Sequence, residues 1–241
     1  MLMPIFRNAA RFALAGAVAA MATSFPASAQ ESSQQRGETQ AEVVADQATL
    51  ANLMRDPDAK WFQENIGNAK AVLLGADVLA KARVLKSGAG GRSVLLVKGA
   101  DGKWHGPVFV SIATEPAAFK EGVKSVEVAA LVMTDKGVAA LTGSTGAKLG
   151  TDVSYAAGPV GAGAPPAAAA DVVGYTRVKG VYGGLNLDGA LVKVYNDWNA
   201  AYFDSQTVQA KDIVSGKTTS RDAVALVNAV TKAAGGGAAK K

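Results

Sequence analysis

None of the 241 residues is a cysteine. Disulfides, thiolate metal sites and a lipid anchor on a thiol are therefore excluded, and stability must come from a packed core. Histidine occurs once, as His105, so the usual zinc ligand sets cannot be assembled. A Ser-His-Asp relay would have to pass through that residue. It stands at a strand start, Lys103-Trp104-His105-Gly106-Pro107, and no nucleophile-elbow motif occurs anywhere. Aromatic residues make up only 6% and are not interleaved with runs of Lys and Arg, which argues against a nucleic-acid partner. The glycine-rich stretches fail as nucleotide loops. Gly88 to Ser93 lacks the third glycine of a dinucleotide fingerprint and precedes a strand, and Gly143 to Lys148 has the wrong spacing for a phosphate loop. Asp56 and Asp58 lack the apolar setting that raises a carboxyl pKa and read as helix-end residues. The expectation is a chain that is not an enzyme and uses no cofactor or metal.

Long apolar runs are missing as well. The one at the N-terminus, Phe12 to Met21, falls short of the ~20 residues that span a bilayer. Arg7 and Arg11 precede it and Ala27-Ser28-Ala29 follows, the pattern of a signal peptide over residues 1–29 cleaved after Ala29. The chain is thus expected to be exported, and periplasmic or peripherally membrane-associated. Removing a segment with two arginines and no acid takes the formal charge from +5 to +3, too mild for a general polyanion binder.

What is present is one domain's worth of alternating structure. Residues 30–39 are polar and read as a flexible linker. A single domain is expected over 40–232, with a disordered tail at 233–241. Val43, Val44, Leu50, Leu53 and Met54 recur at helical spacing, and Asp58 is placed to cap a short helix carrying Trp61, Phe62 and Ile66. Strands are expected at Ala71 to Leu74, Val78 to Val84, Ser93 to Lys98, Trp104 to Val110, Val126 to Met133, Ala147 to Ala156, Asp171 to Thr176, Gly180 to Leu187 and Ala190 to Tyr195. Gly99-Ala100-Asp101-Gly102 joins the third and fourth of these as a hairpin. Gly158 to Ala170 is a Gly/Ala/Pro loop. Helical pattern returns at Trp198 to Phe203, Thr207 to Val214 and Ser220 to Lys232, with Ser220 as N-cap. The fold class is α+β, an antiparallel β-barrel or sandwich-like sheet flanked by N-terminal and C-terminal helices.

Several segments in order then carry a resemblance. Ala69-Lys70-Ala71-Val72-Leu73-Leu74 with Lys81-Ala82, Gly90 to Val97, Trp104 to Phe109, Leu149-Gly150-Thr151-Asp152, Ala156 to Gly161, Gly174 to Gly189 and Asn199 to Phe203 resemble successive motifs of the SYLF, or Ysc84-like lipid-binding, domain. The likeness covers about Asn65 to Phe203. It implies binding of phospholipids, acidic ones above all. Some eukaryotic relatives also contact actin, which an exported chain does not meet.

The residues themselves offer two basic groups for such binding. Arg177 and Lys179 lie two apart and would share a face on a strand. Lys70, Lys81, Arg83 and Lys86 form the second group. Each lysine or arginine near an anionic surface is worth about 1 kcal/mol. The same charges also fit a solvated strand edge that discourages aggregation. Trp61, Trp104 and Trp198 suit either a membrane interface or a core, and Leu50, Leu53 and Met54 either insert into lipid or cover the sheet. The alternative to lipid binding is a structural or protein-interaction module that engages another envelope protein.

Overall fold

Apolar runs punctuated by glycine become strands. In chain order these are β1 (Ala71–Gly75), β2 (Ala89–Lys98), β3 (Trp104–Thr114), β4 (Glu127–Val132), β5 (Ala147–Lys148), β6 (Tyr155–Ala157), β7 (Val172–Val178), β8 (Val181–Gly183) and β9 (Leu191–Val194). The helices are α1 (Ala27–Leu53), α2 (Lys60–Asn65), α3 (Asp135–Thr142), α4 (Asn196–Phe203), α5 (Ala210–Val214) and α6 (Val224–Ala238). The computed structural model describes residues 27–78, 89–114, 125–159, 170–178, 181–183 and 187–238.

The nine strands of the described residues form one sheet in the order β5-β9-β3-β2-β1-β4-β7-β6, with β8 paired to β7. Among the described strands every pairing is antiparallel except β6 with β7. The two ends of that order, β5 and β6, belong to one short stretch of chain, and a bridge between Leu149 and Val153 joins its halves. The sheet therefore curls into a half-barrel whose two edges are gathered onto residues 147–157. This is the α+β architecture with helices at both ends that the sequence suggests.

Both faces of the sheet are buried, which is why the strands read as continuous apolar runs. Side chains alternate across it. Val72, Leu74, Val94, Leu96, Phe109, Ala129, Leu131 and Val173 form one face, clustered with Leu50, Leu53, Phe62, Trp198, Leu226 and Val230 of the helices. Their neighbours Leu73, Leu95, Val97, Val108, Val110, Val128, Ala130 and Val172 form the other face, clustered with Leu141 of α3 and Ile213 of α5. Each Val, Leu, Ile or Phe among them, fully buried, contributes about 1.5–3 kcal/mol. Leu50 and Leu53 thus cover the sheet, and Trp104 and Trp198 belong to the core.

Several expectations change. Residues 30–39 are helical, not a linker, because α1 begins at Ala27. Its buried stripe, Thr39, Glu42, Val43, Asp46, Thr49, Leu50 and Leu53, recurs at helical spacing but is polar over its first half. That half is fastened by polar ties instead: Arg36 to Asp204 at 3.6 Å, Gln40 Nε2 donating to Asp222 at 2.7 Å, and Glu38 to Arg92 at 3.6 Å. The Arg92 guanidinium in turn lies 3.8 Å from the centre of the Trp198 ring. Asp58 does not cap α2; Asp56 caps the 3-10 turn Pro57–Ala59 that leads into it, its carboxylate accepting from the Asp58 N–H at 2.9 Å. The single strand expected over Ala147 to Ala156 is broken at Gly150, which adopts a φ of 80°. Helix α3 is unforeseen; Thr134 caps it by accepting from the Gly137 N–H at 3.0 Å. The tail from residue 233 continues α6 as far as Ala238. Val78 is not in a strand, and the rest of the strand expected there lies outside the described residues, as do residues 1–26 and most of the Gly158 to Ala170 loop.

Candidate functional site

The register between β4 and β7 places Glu127 directly opposite Arg177. Arg177 Nε lies 2.7 Å from one carboxylate oxygen of Glu127, and its Nη2 donates to the other at 2.8 Å. Both side chains are about a fifth exposed, at 22% and 21%. A two-point guanidinium–carboxylate contact of this kind is strong and directional. The charge of Arg177 is thereby committed within the protein. Lys179, Lys81, Arg83 and Lys86 lie outside the described residues.

Lys70 sits at the other end of the same ladder. Its backbone N–H donates to the Val132 carbonyl at 2.8 Å, and its own carbonyl accepts from the Lys98 N–H at 2.8 Å. Val132 is five residues along β4 from Glu127, about 17 Å at ~3.4 Å per residue. The structure therefore separates Lys70 from Arg177 and brings it beside the β2–β3 hairpin. Its ammonium lies 3.4 Å from Asp135, with the two side chains 46% and 87% exposed. A pair so open to water is screened and contributes little.

The hairpin adds two cations that the sequence reading passed over. Lys98 and Lys103 flank the Gly99–Gly102 turn, so antiparallel pairing necessarily brings them together; Lys98 is in register with Trp104. That symmetry about the turn was the available signal. Beside them is a cavity of about 550 Å³, lined by Lys98, Lys103, Trp104 and Gly67 on one side and by α6 on the other. A second groove, of about 660 Å³, runs past Thr142, Asn196, Gln206 and Gln209, with Lys211 supplying charge.

The motifs that carried the resemblance prove to be architectural. A Cβ on Gly158 would stand 2.1 Å from the Tyr175 ring, and one on Gly174 would stand 2.7 Å from the Tyr155 ring. Gly150 likewise clears Asp188. Burial pushes the Tyr155 hydroxyl up to about 12, while its oxygen accepts from the Leu187 N–H at 3.3 Å. Asn199 is buried and grips β3 through both its oxygen, accepting from Phe109 N–H at 2.9 Å, and its amide, donating to Phe109 O at 3.2 Å. His105 is paired with Asp101 at 3.0 Å. Asp171 accepts from the Thr134 hydroxyl at 2.5 Å and from both the N–H and the hydroxyl of Ser154 at 2.9 Å. Those bonds, Thr134 first, hold its carboxyl well below the usual range. Among the described residues no group of His, Asp and Glu is placed to hold a metal, and no helix is long and apolar enough to cross a membrane.

Residues 116–233 match the model of the family described as Ysc84, Las17-binding protein actin regulator. The chain belongs to the Ysc84 family. The match includes the motifs from Leu149 to Phe203; the earlier segments from Ala69 to Phe109 precede it. SH3 domain-containing YSC84-like protein 1 of Bos taurus is 27% identical over 155 residues, 63% of this chain and 45% of that protein. LAS seventeen-binding protein 3 of Saccharomyces cerevisiae is 28% identical over 145 residues, 58% of this chain and 31% of its own length. Protein YSC84 of the same yeast is 27% identical over 143 residues, 57% and 30% respectively. The chain thus spans less than half the length of the relatives it matches.

Proposed function

We propose that this Ysc84-family chain is a non-enzymatic protein of the cell envelope that binds acidic phospholipid headgroups at a membrane surface. The observation that supports this best is the contrast in how cations are used. Arg177 is engaged by a half-buried carboxylate. Lys70 has only a solvent-exposed one, and Lys103 has no ion pair or side-chain hydrogen bond among the described residues. Lys70, Lys98 and Lys103 gather at the hairpin end, where three lysines near an anionic surface are worth about 3 kcal/mol, or about two orders of magnitude in affinity. Lys179, Lys81, Arg83 and Lys86 are the further contacts that the sequence proposes; Arg177, the remaining candidate, is held by Glu127.

Co-sedimentation with vesicles tests the reading. The chain is expected to pellet with anionic vesicles, to stay in solution with neutral ones, and to lose binding as salt is raised. Lys70→Ala with Lys103→Ala should weaken it more than Arg177→Ala with Lys179→Ala. Indifference to anionic vesicles at low salt would sink the proposal and transfer the reading to a protein partner, as the name of the yeast relative LAS seventeen-binding protein 3 suggests.

A further inference from the structure

The cavity at the hairpin end is more than a patch of positive surface. At about 550 Å³ it falls within the ~300–1,000 Å³ of small-molecule sites. It lies between the hairpin turn, the turn of 3-10 helix at Ile66–Asn68 and the side of α6. Its chemistry is divided. At one side stand Lys98 and Lys103, and no carboxylate is among the lining residues. Next to them is the indole of Trp104, and across from them α6 presents Val227 and Ala234 together with Asn228 and Thr231.

Lys98 is half-buried, and its ammonium donates to the Gly67 carbonyl at 3.3 Å. An ammonium has three donors, so this bond fixes its position while leaving capacity for an anion. Asp101, the carboxylate nearest in the chain, does not line the cavity; it accepts from the Lys103 N–H at 3.0 Å and faces His105. The cavity also stays open on the helix side, where a Cβ added to Gly235 would meet nothing within 4 Å.

We infer that this cavity binds a single-chain anionic amphiphile. Its carboxylate or phosphate is held by Lys98 and Lys103, and the first methylenes of its chain lie against Trp104, Val227 and Ala234. The inference shares only the headgroup chemistry of the membrane reading above and requires no bilayer.

Calorimetric titration of the full chain with octanoate, octyl phosphate, octanol and inorganic phosphate tests it, since all four are soluble monomers. At least one of the two anionic amphiphiles is expected to bind one-to-one, about tenfold or more tighter than octanol or inorganic phosphate. The stronger of the two distinguishes a carboxylate source from a phosphate source. Lys98→Met, which keeps the apolar stem, should lower affinity about tenfold. Gly235→Leu should abolish binding by filling the cavity, and replaces glycine by a better helix former. Gly236→Leu, also with open space at its Cβ and outside the cavity lining, should bind as the parent does. Equal binding of octanol, unchanged binding by folded Gly235→Leu, or no binding of either anionic amphiphile would overturn the inference. Vesicle binding that survives in a Gly235→Leu variant unable to bind the amphiphile would support both readings as separate sites.

Discussion

Two cations near opposite ends of β4 both face carboxylates, yet the contacts differ in kind. Arg177 and Glu127 meet at 2.7 Å, each only about a fifth exposed at 22% and 21%. Lys70 and Asp135 meet at 3.4 Å with Asp135 87% exposed. The first is a rivet between two strands; the second is a pair of solvated charges in loose proximity. Arg177 cannot reach an external anion without giving up Glu127, whereas Lys70 gives up almost nothing. Availability for a ligand is thus decided by the partner, and the partner by strand register.

A third carboxylate marks the extreme of that comparison and the largest expected effect. Asp171 is 6% exposed and gathers α3, the start of β7 and the segment before β6 through Thr134 and Ser154. Asp171→Ala should cost about 2–4 kcal/mol in urea unfolding at neutral pH. Because the folded carboxyl is held low, the ionised form is favoured by folding. Its contribution is complete above the unfolded value near ~3.9 and is lost as the pH falls below it. The difference between variant and parent should therefore shrink on acidification from about pH 4 to pH 2; a constant difference would show that charge is not what the site uses.

The middle effect belongs to the rivet. Glu127→Gln should cost about 1–2 kcal/mol, and a double-mutant cycle with Arg177→Ala should recover most of that as coupling. A coupling energy near zero would make Arg177 as available as Lys70 and erase the distinction. The smallest belongs to the loose pair: Lys70→Ala should change stability by less than about 0.5 kcal/mol while reducing retention on anionic vesicles. A large loss of stability would mean that Lys70 is structural after all.

Much of the architecture was readable because strands buried on both faces leave dense apolar runs, as in Val72-Leu73-Leu74 and Val94-Leu95-Leu96. The hairpin was readable from its glycines. Helix α3 was not, since Asp135-Lys136-Gly137 gives no apolar stripe until Val138 and Leu141. Nor was the first half of α1, whose buried stripe opens with Thr39 and Glu42 where a hydrophobic pattern looks for leucine. The site was the harder problem. The spacing of Arg177 and Lys179 was visible in the chain, but Glu127 lies fifty residues earlier, and only the β4–β7 register brings it opposite Arg177. Gly158, Gly174 and Asn199 made the family recognisable, yet they hold rings and backbone and do not point to a ligand.

The order in which the sheet is assembled is itself a hazard during synthesis. Strands β1 to β4 pair among themselves once residue 132 is available, but the outer edge of β3 finds its partner only in β9, at Leu191–Val194. Translation of the intervening ~60 residues takes about 3–12 s at ~5–20 residues per second. Over that interval Val108 to Ile112 is an apolar strand with one open edge, a template for any neighbouring chain with a compatible strand. Some means of shielding that ribbon until the last strand arrives is a requirement that the topology places on the cell.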